Sequence, residues 1–263
     1  MSYVLITGAS SGIGTELAKK FAKKGFDLFL VARNENRLLL LKEELFKVNQ
    51  IDIQILSCDL SMDDGPKKVY EFSKKNNMLV SVLVNNAGYG DFGKFIDGDL
   101  EKYKNMIDLN NKALMSLSYL YIKDMKADHY GHIINIASIA GFMPGPYMAV
   151  YYASKAFVLS FSAALREELK EDNVHVTTLC PGPVNTDFWN RAGVKMSKTK
   201  STLFARSPKQ VAKTGIKAFE NNKGIVVDGF INNLAVIGAK LGPTELVAKI
   251  AKKAQKKLST TKE

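Results

Sequence analysis

Short runs of apolar, often β-branched residues alternate along the chain with longer stretches in which apolar positions recur at helical spacing. The short runs are apolar at nearly every position, which is typical of strands that are covered by helices on both faces of a parallel sheet. The pattern predicts strands over residues 3–7, 27–31, 52–57, 80–84, 132–137, 174–179 and 224–227. It predicts helices over residues 12–24, 34–48, 62–76, 98–123, 149–171, 208–220 and 243–257.

This alternation predicts an α/β fold, with a Rossmann-like, doubly wound parallel sheet of about seven strands and helices on both faces. No linker, low-complexity stretch or internal repeat divides the sequence. We therefore expect one domain over residues 1–263. Within it we expect a lid-like segment over residues 183–207 and a C-terminal helical extension over residues 230–257.

The composition supports a globular protein and argues against a nucleic-acid partner. Hydrophobic residues make up 46% of the 263 positions, which is ample for a packed core. Lysine and arginine number 37 against 26 acidic residues, a formal net charge of +11. The surplus is almost all lysine and forms no basic stripe or known binding motif, so a solvated basic surface is expected and nucleic-acid binding is not.

Other features of the sequence concern its compartment. Two cysteines cannot build a disulfide framework, and the N-terminal residues do not resemble a signal peptide. No stretch reaches 18 consecutive apolar residues, so no transmembrane helix is expected. These observations predict a cytoplasmic protein, and no metal site is predicted.

A glycine-rich turn follows the first predicted strand. The run GASSGIG, residues 8–14, separates Thr7 from the first predicted helix. Glycines at 8, 12 and 14 permit a tight turn and a close approach of a pyrophosphate to the N–H groups of the helix, whose dipole favours an anion. An ordinary glycine-rich turn is the alternative, but the position at the first strand–helix junction favours phosphate binding.

The spacing G-x-x-x-G-x-G resembles the T-G-x-x-x-G-x-G motif of the short-chain dehydrogenase/reductase superfamily. Five further matches follow in the family's order: NNAG at 85–88, Asn110 in MIDLNN, Ser138 in INIAS, the Y-x-x-x-K pair Tyr151 and Lys155, and PGPVNT at 181–186. Six ordered motifs over nearly the whole chain are far more specific than any one of them. The sequence looks closest to the NADP-dependent carbonyl reductase branch of this superfamily.

The resemblance implies roles for individual residues. It implies catalytic roles for Asn110, Ser138, Tyr151 and Lys155, and at Asn110 a bent backbone with a water bound in a proton relay. It implies cofactor contacts by Gly8, Ser10, Ser11, Gly12, Ile13, Gly14, Arg33, Asp59, Leu60, Asn86, Ala87, Gly88, Tyr151, Lys155, Pro181, Gly182, Val184 and Thr186.

The chemistry of the Tyr–Lys pair can also be argued from the residues. Hydride transfer to a carbonyl builds negative charge on its oxygen, which needs a proton donor such as Tyr151. Lys155 lies four residues on, so both side chains share a helix face, and the ammonium is expected to lower the phenol pKa and to hold ribose hydroxyls. Ser138 could orient the carbonyl oxygen. Tyr152 is the competing phenol, but its partner four residues on is Ala156.

The rest of that helix predicts which face is buried. Ala153, Phe157, Phe161 and Leu165 recur every four residues, which is typical of a buried stripe. Tyr151 and Lys155 fall beside this stripe. The pattern therefore predicts that they face an active site and not the core.

The end of the second strand bears on the choice of cofactor. A carboxylate at this position binds the ribose 2′-hydroxyl of NAD, whereas a basic residue suits the 2′-phosphate of NADP. Here Ala32, Arg33 and Asn34 follow the strand, and no carboxylate occurs before Glu35. Arg33 can form a forked contact with phosphate, so NADP(H) is predicted and NAD is less favoured.

The segments that follow the strands predict a substrate site with few polar groups. Asp91 and Asp187 are exceptions among largely apolar or aromatic stretches at 89–92, 142–144, 148 and 188–189. This composition favours a small or moderately lipophilic ketone or aldehyde, although the same residues could belong to the core.

The C-terminal helix predicted over 243–257 has Leu246, Val247, Ile250 and Ala254 on one side and lysines on the other. Such a helix can lie on a membrane, but docking on its own domain or on a second subunit is favoured, because its apolar face is narrow. A homo-oligomer is expected. Three classes of function remain: an NADP-dependent carbonyl reductase, a peripheral membrane enzyme acting on lipid-like carbonyls, and an NADP-binding regulator without turnover.

Overall fold

The computed structural model describes residues 2–48, 50–194 and 205–259 of the chain. Seven strands form one parallel sheet in the order β3-β2-β1-β4-β5-β6-β7. Each strand lies within one residue of its predicted bounds, and the predicted fold class is confirmed. The strands are β1 (Tyr3–Thr7), β2 (Asp27–Ala32), β3 (Ile53–Ser57), β4 (Val80–Asn85), β5 (Gly131–Ile136), β6 (Val174–Cys180) and β7 (Ile225–Val227).

Helices cover both faces of the sheet. Among the described residues they are α1 (Gly12–Lys23), α2 (Glu35–Phe46), α3 (Gly65–Lys75), α4 (Leu100–Ile107), α5 (Leu114–Ala127), α6 (Ala149–Glu168), α7 (Phe188–Arg191), α8 (Pro208–Glu220), α9 (Phe230–Leu241) and α10 (Thr244–Ser259).

The single helix predicted over residues 98–123 is interrupted. A π-helical segment, Asp108–Ala113, joins α4 to α5. A π turn holds one residue more than an α turn, and such turns are frequent at functional sites. Asn110 lies inside this segment, so the helix is irregular at the position where a bent backbone is implied.

Apolar clusters fill the space on each side of the central strands. On one side Phe21 of α1 packs edge-on against Phe26 and against Phe219 of α8, with ring centroids 5.6 Å and 5.4 Å apart. On the other side Tyr121 of α5 is fully buried, and its hydroxyl donates to Ser73 Oγ over 2.9 Å. Burial of each large side chain contributes about 1.5–3 kcal/mol, so both faces hold the helices firmly on the sheet.

The sheet order sets the position of the site. β1 pairs with both β2 and β4, so the chain runs outward in opposite directions from this strand. A parallel sheet that reverses in this way opens a crevice at the carboxyl ends of the strands on either side of the switch point. The segments that follow β1, β2, β4, β5 and β6 all meet at that edge.

The predicted lid-like segment, 183–207, is described only at its two ends. A parallel bridge joins Val184 to Arg206, and α7 lies in the first part. Residues 195–204 lie outside the described residues. The described ends are joined to each other, because the Arg206 N–H donates to the Pro183 carbonyl over 3.0 Å.

The two C-terminal helices lie against the rest of the chain. The side of α10 that turns inward carries Val247, Ala251 and Gln255, each less than a tenth exposed, whereas Leu246 and Ile250 are more than half exposed. The helix therefore docks on its own fold, on a face rotated from the predicted one. In the described part of the chain, no helix combines the length and the apolar character that crossing a bilayer requires.

An ion pair with a buried carboxylate anchors the second end of the lid-like segment. Asp228 is fully buried, and its carboxylate lies 2.7 Å from Arg206 Nε and accepts a hydrogen bond from the Thr214 hydroxyl. Removing one member of such a pair leaves an uncompensated buried charge. We expect Arg206→Ala to lower the free energy of unfolding by about 3 kcal/mol, measured by urea denaturation.

The matched control is Lys67→Ala, which breaks the exposed pair of Lys67 with Glu71 on α3. Exposed pairs contribute less than about 1 kcal/mol, so this variant should unfold close to the wild-type midpoint. Equal losses in the two variants would contradict the special role of the buried Asp228.

Candidate active site

A cleft of about 970 Å³ opens at the carboxyl edge of the sheet. It runs from Arg33, beyond β2, to Gln255 on α10, and its size lies near the upper end of the range for small-molecule sites. Most residues predicted to bind cofactor or substrate line it. They are Gly8, Ser10, Ser11, Gly12, Ile13, Arg33, Asp59, Leu60, Asn86, Ala87, Gly88, Ser138, Tyr151, Lys155, Pro181, Gly182, Val184 and Thr186.

Gly14 and Asn110 do not line the cleft. A Cβ atom at Gly14 would lie 2.5 Å from the Gly8 carbonyl oxygen, so this glycine is required for packing inside the turn. Gly8 and Gly12 have φ angles of +64° and +59°, in the left-handed region that favours glycine. The three glycines thus shape the turn in two ways, through backbone conformation and through close approach.

The segment that follows β4 holds the glycine turn through hydrogen bonds. The Asn86 side-chain amide donates to the carbonyl oxygens of Thr7 and Gly8 over 2.8 Å and 3.2 Å. In the opposite direction the Thr7 hydroxyl accepts from the N–H groups of Asn86 and Ala87 over 3.0 Å each. Asn86 therefore positions the glycine turn as well as lining the cleft.

This cradle fits the pyrophosphate of a dinucleotide. Ser11 precedes α1 with an extended backbone, and its side chain makes no capping hydrogen bond to the helix. The N–H groups of the first turn consequently point into the cleft without a side-chain cap, at the positive end of the helix dipole. A dinucleotide with its diphosphate at α1 would place its two ends towards Arg33 and towards Tyr151.

Ser138 stands immediately after β5, at the start of the 3₁₀ turn Ile139–Phe142. Its Oγ accepts from the Ala140 N–H over 3.1 Å and lies 3.3 Å from the Pro181 carbonyl oxygen, to which it donates. Ser138 also acts on the neighbouring Tyr151, where its side chain works to lower the pKa of the phenol. A serine hydroxyl held by two main-chain groups is ready to orient a carbonyl oxygen beside the phenol.

Tyr151 and Lys155 lie on the first two turns of α6. The buried ammonium of Lys155 donates to the Ile136 carbonyl over 2.8 Å, and its Nζ lies 5.9 Å from the centre of the Tyr151 ring. The Tyr151 ring also packs against Phe188 of α7, with centroids 5.2 Å apart. The sheet and α7 together fix the position of the phenol.

Burial is the main influence on the acid–base properties of this pair. Desolvation raises the pKa of Tyr151, and the hydrogen bond from Ser138 only partly opposes this effect. Burial lowers the pKa of Lys155 to about 8, so its charge is itself disfavoured. Desolvation is the largest cause of the raised phenol pKa, and the lowering of that pKa by Lys155 stays a prediction.

Asn110 lies behind the cleft and hydrogen-bonds to Tyr89 in its wall. Its amide donates to the Tyr89 carbonyl over 3.0 Å and to Ser154 Oγ over 3.1 Å, and its Oδ1 accepts from the Tyr89 N–H over 3.1 Å. The side chain is almost fully buried and fully engaged. These contacts make Asn110 a positioning residue for the segment after β4, and its role in a proton relay stays a prediction.

The predicted buried stripe on α6 is wrong. Ala153 and Phe157 are exposed, and Phe161 and Leu165 are only partly buried. The buried residues of α6 are Ser154, Lys155, Val158, Leu159 and Ser162. Polar side chains occupy the inner face of this helix because it packs against the hydrogen-bonding groups of the site, which an apolar pattern cannot reveal.

At the opposite end of the cleft, Arg33 extends beyond β2 with 61% of its side chain exposed. Its guanidinium lies 3.6 Å from the Asp59 carboxylate. Burial acts to raise the pKa of Asp59, but hydrogen bonds from Ser61 and the charge of Arg33 lower it overall. Arg37 lies 3.8 Å from Asp187 across the mouth of the cleft. Two arginines therefore stand near the place where a 2′-phosphate would lie.

The substrate end of the cleft is partly as predicted. Tyr89, Met148, Phe188 and Trp189 line it, but the segment 142–144 and Phe92 do not. Phe92 stacks on Tyr147 instead. The predicted polar group Asp91 is paired with Lys102, and it also lies outside the cleft.

Sequence reasoning missed the far wall of this end. Tyr152, Ala254 and Gln255 line the cleft, and Gln255 Nε2 donates to the Tyr152 hydroxyl over 2.7 Å. Val247, Ala251 and Gln255 recur every four residues on the inner side of α10. This spacing was the available signal, but the larger Leu246 and Ile250 indicated a different face.

The pKa of Lys155 predicts how stability varies with pH. The buried ammonium has a pKa of about 8, against 10.5 ordinarily, so between these values the unfolded chain binds more protons than the folded one. Stability due to this group therefore rises with pH across that interval. We expect a gain of about 2 kcal/mol between pH 8 and pH 10 that is missing in Lys155→Met, measured by urea denaturation without cofactor.

The difference between the pH profiles of wild type and Lys155→Met gives the contribution of Lys155, because the other titrating groups are the same in both proteins. Tyr151, whose raised pKa acts in the opposite direction above pH 10, sets the upper limit of the measurement. Parallel pH profiles for wild type and Lys155→Met would contradict the lowered pKa.

Comparisons with known proteins agree with this geometry. Residues 2–196 match the family model described as short chain dehydrogenase. A 7beta-hydroxysteroid dehydrogenase from Mediterraneibacter gnavus is 30% identical over 249 residues, which cover 92% of this chain and 91% of the relative. A very-long-chain 3-oxoacyl-CoA reductase from Kluyveromyces lactis is 35% identical over 182 residues, 66% of this chain. The matched region is 53% of that relative, so the chain spans about half of its length.

A solved structure extends the similarity to nearly the whole chain. The short-chain dehydrogenase from Sphingobium yanoikuyae in complex with NADPH has a TM-score of 0.83 and 30% sequence identity. The alignment covers 91% of this chain and 93% of that one.

Proposed function

Because the chain belongs to the short chain dehydrogenase family, we propose that it transfers hydride between NADP(H) and a lipophilic ketone, aldehyde or alcohol, with Tyr151 as acid and base. The observation that carries this proposal is the convergence of Ser138, Tyr151 and Lys155 at one end of a cleft whose other end is the phosphate cradle of α1.

In the reductive direction, the bound nicotinamide supplies the hydride that is added to the carbonyl carbon. The Ser138 hydroxyl, whose one proton is directed at the Pro181 carbonyl in this structure, would turn that proton to the substrate oxygen and orient it, while the Ala140 N–H still holds Oγ. The Tyr151 hydroxyl gives its proton to the same oxygen, which becomes the alcohol. A raised phenol pKa keeps this proton in place until the oxygen gains charge.

Lys155 has two tasks in the proposed mechanism. As an ammonium near the Tyr151 ring it stabilises the phenolate that remains after proton transfer. Its remaining N–H groups can hold the ribose hydroxyls of the cofactor. In the oxidative direction the same residues act in reverse, with the phenolate of Tyr151 as the base.

NADP(H) is the proposed cofactor because of the groups at the end of β2. Arg33 lines the cleft there, and the neighbouring Asn34 side chain is used to cap α2, where it accepts from the Arg37 N–H over 2.9 Å. No carboxylate follows β2 directly to bind a 2′-hydroxyl. The NADPH in the Sphingobium yanoikuyae relative supports the same choice.

The lining of the substrate end supports a lipophilic substrate. Met148, Phe188 and Trp189 are among the residues that line it. The names of two relatives, a hydroxysteroid dehydrogenase and a very-long-chain 3-oxoacyl-CoA reductase, also denote lipophilic substrates. The alternative of a regulator without turnover is weakened because the Ser138, Tyr151 and Lys155 set is intact.

We also infer a homo-oligomer. Met115 and Tyr119 of α5 and Phe157 of α6 are between 41% and 62% exposed, and a second copy of the chain could cover them. Sedimentation equilibrium at several protein concentrations measures the assembly, and a monomer throughout would contradict it.

The proposed activity is tested by a screen of lipophilic ketones, aldehydes and alcohols with each of the two nicotinamides, followed by absorbance. Turnover of ketones with NADPH is expected to exceed that with NADH. If no carbonyl were turned over with either cofactor although the cofactors bound normally, a regulator without turnover would be the better interpretation. Co-sedimentation with anionic vesicles distinguishes the peripheral membrane enzyme.

A further inference from the structure

A carboxylate stands at the end of the cleft that Arg33 occupies. Asp59 follows β3 between Cys58 and Leu60, and all three residues line the cleft. A dinucleotide with its diphosphate at α1 and its 2′-phosphate at Arg33 would place its base beside them. The base of NADP is adenine, whose ring is flat and whose exocyclic amine donates hydrogen bonds.

The two oxygens of the Asp59 carboxylate have different surroundings. Oδ1 accepts from the Ser61 N–H over 3.0 Å and from the Ser61 hydroxyl over 2.7 Å. Oδ2 lies 3.6 Å from Arg33 Nη1, which is longer than an ordinary hydrogen bond. Because Arg33 also lines the cleft and the Asp59 side chain is 37% exposed, a ligand in the cleft can reach Oδ2. A carboxylate oxygen only accepts, so the ligand group that meets it must be a donor.

A side chain of α4 determines where the Ser61 hydroxyl points. Asn105 Nδ2 donates to Ser61 Oγ over 2.9 Å. A separation of 2.7 Å between Ser61 Oγ and a carboxylate oxygen requires the Ser61 proton to lie between them. Ser61 has one hydroxyl proton, so its oxygen must accept from the Asn105 amide. Asn105 therefore holds this hydroxyl in the direction of Asp59.

The Asn105 amide is itself held at its other end. Its Oδ1 lies 3.1 Å from the Tyr89 hydroxyl, which also donates to the Lys102 carbonyl over 2.8 Å. Ser61 is only 8% exposed, so water competes little for its contact with Asn105. The amide consequently has one preferred orientation, with Nδ2 towards Ser61.

We propose that Asn105 is a positioning residue for the adenine end of the cofactor site. Through Ser61 it fixes the Asp59 carboxylate, so that Oδ2 is ready to accept a hydrogen bond from the exocyclic amine of the base. This inference rests on the proposed NADP-dependent function and adds to it a residue that makes the site selective for the base.

The test compares NADP with nicotinamide hypoxanthine dinucleotide phosphate, in which a carbonyl oxygen replaces the amine of the base. Titration calorimetry measures the dissociation constant of each nucleotide. The wild-type protein is expected to prefer NADP by about tenfold, which corresponds to about 1.4 kcal/mol. The analogue loses the donor and sets a second acceptor against the carboxylate. A wild-type protein that binds both nucleotides equally well would overturn the proposal.

Asn105→Leu keeps the approximate size of the side chain and removes the donor to Ser61. The Asp59 carboxylate then has to be ordered when the base binds, so the preference for NADP is expected to fall to about twofold. The loss should lie in the constant for NADP, because the analogue gains nothing from Asp59. An equal weakening of both nucleotides would mean that Asn105 only supports the fold of the cleft, and would overturn the proposal.

Two further variants bracket this result. Asn105→Asp should abolish the preference, because its carboxylate competes for the Ser61 proton and repels Asp59. Lys104→Met is the matched control, since Lys104 is exposed on the same helix and pairs only with Glu101 among the described residues. It should keep the wild-type preference. A preference that survives in Asn105→Asp, or that falls equally in Lys104→Met, would contradict the role of Asn105.

A double-mutant cycle tests the route through Ser61. If Asn105 acts on Asp59 through this hydroxyl, adding Asn105→Leu to Ser61→Ala should change the preference no further. Additive losses would show that Asn105 reaches the base directly or through Tyr89, and would overturn the proposed route.

These measurements keep the inference distinct from the proposed activity. The dissociation constants need no turnover, so a selective loss of NADP binding in Asn105→Leu would support the inference even if no ketone were reduced. Conversely, reduction of ketones with NADPH, together with an unchanged preference for the base in Asn105→Leu, would refute the role of Asn105 and leave the proposed activity intact.

Discussion

Tyr151→Phe is expected to reduce turnover by about 10²–10⁴-fold while leaving cofactor binding nearly unchanged. The reason is that the variant loses only the hydroxyl that carries the proton, whereas the ring keeps its contacts with Phe188 and Lys155. Steady-state kinetics with NADPH and the best ketone of the screen measure the turnover. The thermal shift caused by NADP measures the integrity of the cofactor site.

Tyr152→Phe is the matched variant for this test. It removes the same atom from the neighbouring residue, which lines the same cleft but interacts with Gln255 and not with Ser138. Its effect should be confined to the binding of particular substrates. If Tyr152→Phe were inactive and Tyr151→Phe had near-normal activity, our mechanism would have assigned the proton transfer to the wrong phenol.

The fold could be predicted from the sequence because its central strands are buried on both faces. A strand such as β4 has no solvated side, so every residue from Val80 to Asn85 is buried and the apolar run marks the element directly. The glycine turn was accessible for a related reason, since its positive φ angles admit few residues other than glycine.

Helices were less accessible, because their inner faces are not simply apolar. On α6 the polar Ser154 and Lys155 turn inward towards Asn110 and Ile136, while Phe157 is exposed. Between α4 and α5, the extra residue of the π turn shifts the helical register without leaving a clear mark in the hydrophobic spacing.

The residues of the candidate site also fall into two groups, those that the sequence predicts and those that it does not. Residues that follow the strands, such as Ser138, were found because the topology brings them to one edge of the sheet. Gln255 was not found, because α10 reaches the cleft only through the packing of Val247 and Ala251, which is a tertiary event far from any motif. Desolvation of Tyr151 was missed for the same reason, since it depends on what covers the phenol in three dimensions.

Arg33→Ala is expected to weaken NADP binding by roughly ten- to a hundredfold and to leave NAD binding nearly unchanged. A charge-assisted hydrogen bond contributes about 1.5–3 kcal/mol, and each 1.4 kcal/mol is a factor of ten in the dissociation constant. The existing contact of Arg33 with Asp59 does not offset this, because a pair with these exposures, at 3.6 Å, contributes little. Titration calorimetry with each cofactor measures both constants.

Arg37→Ala is the control, since Arg37 is also exposed near the cleft but is held towards Asp187. It should weaken NADP binding less than Arg33→Ala does. The double variant should show whether Arg37 compensates for the loss of Arg33. Arg33→Asp should go further, because a carboxylate after β2 repels the 2′-phosphate and can accept from ribose hydroxyls, which shifts the preference towards NAD. A wild-type preference for NAD, or an equal loss of both cofactors in Arg33→Ala, would mean that this arginine acts through the structure of the cleft and not through the phosphate.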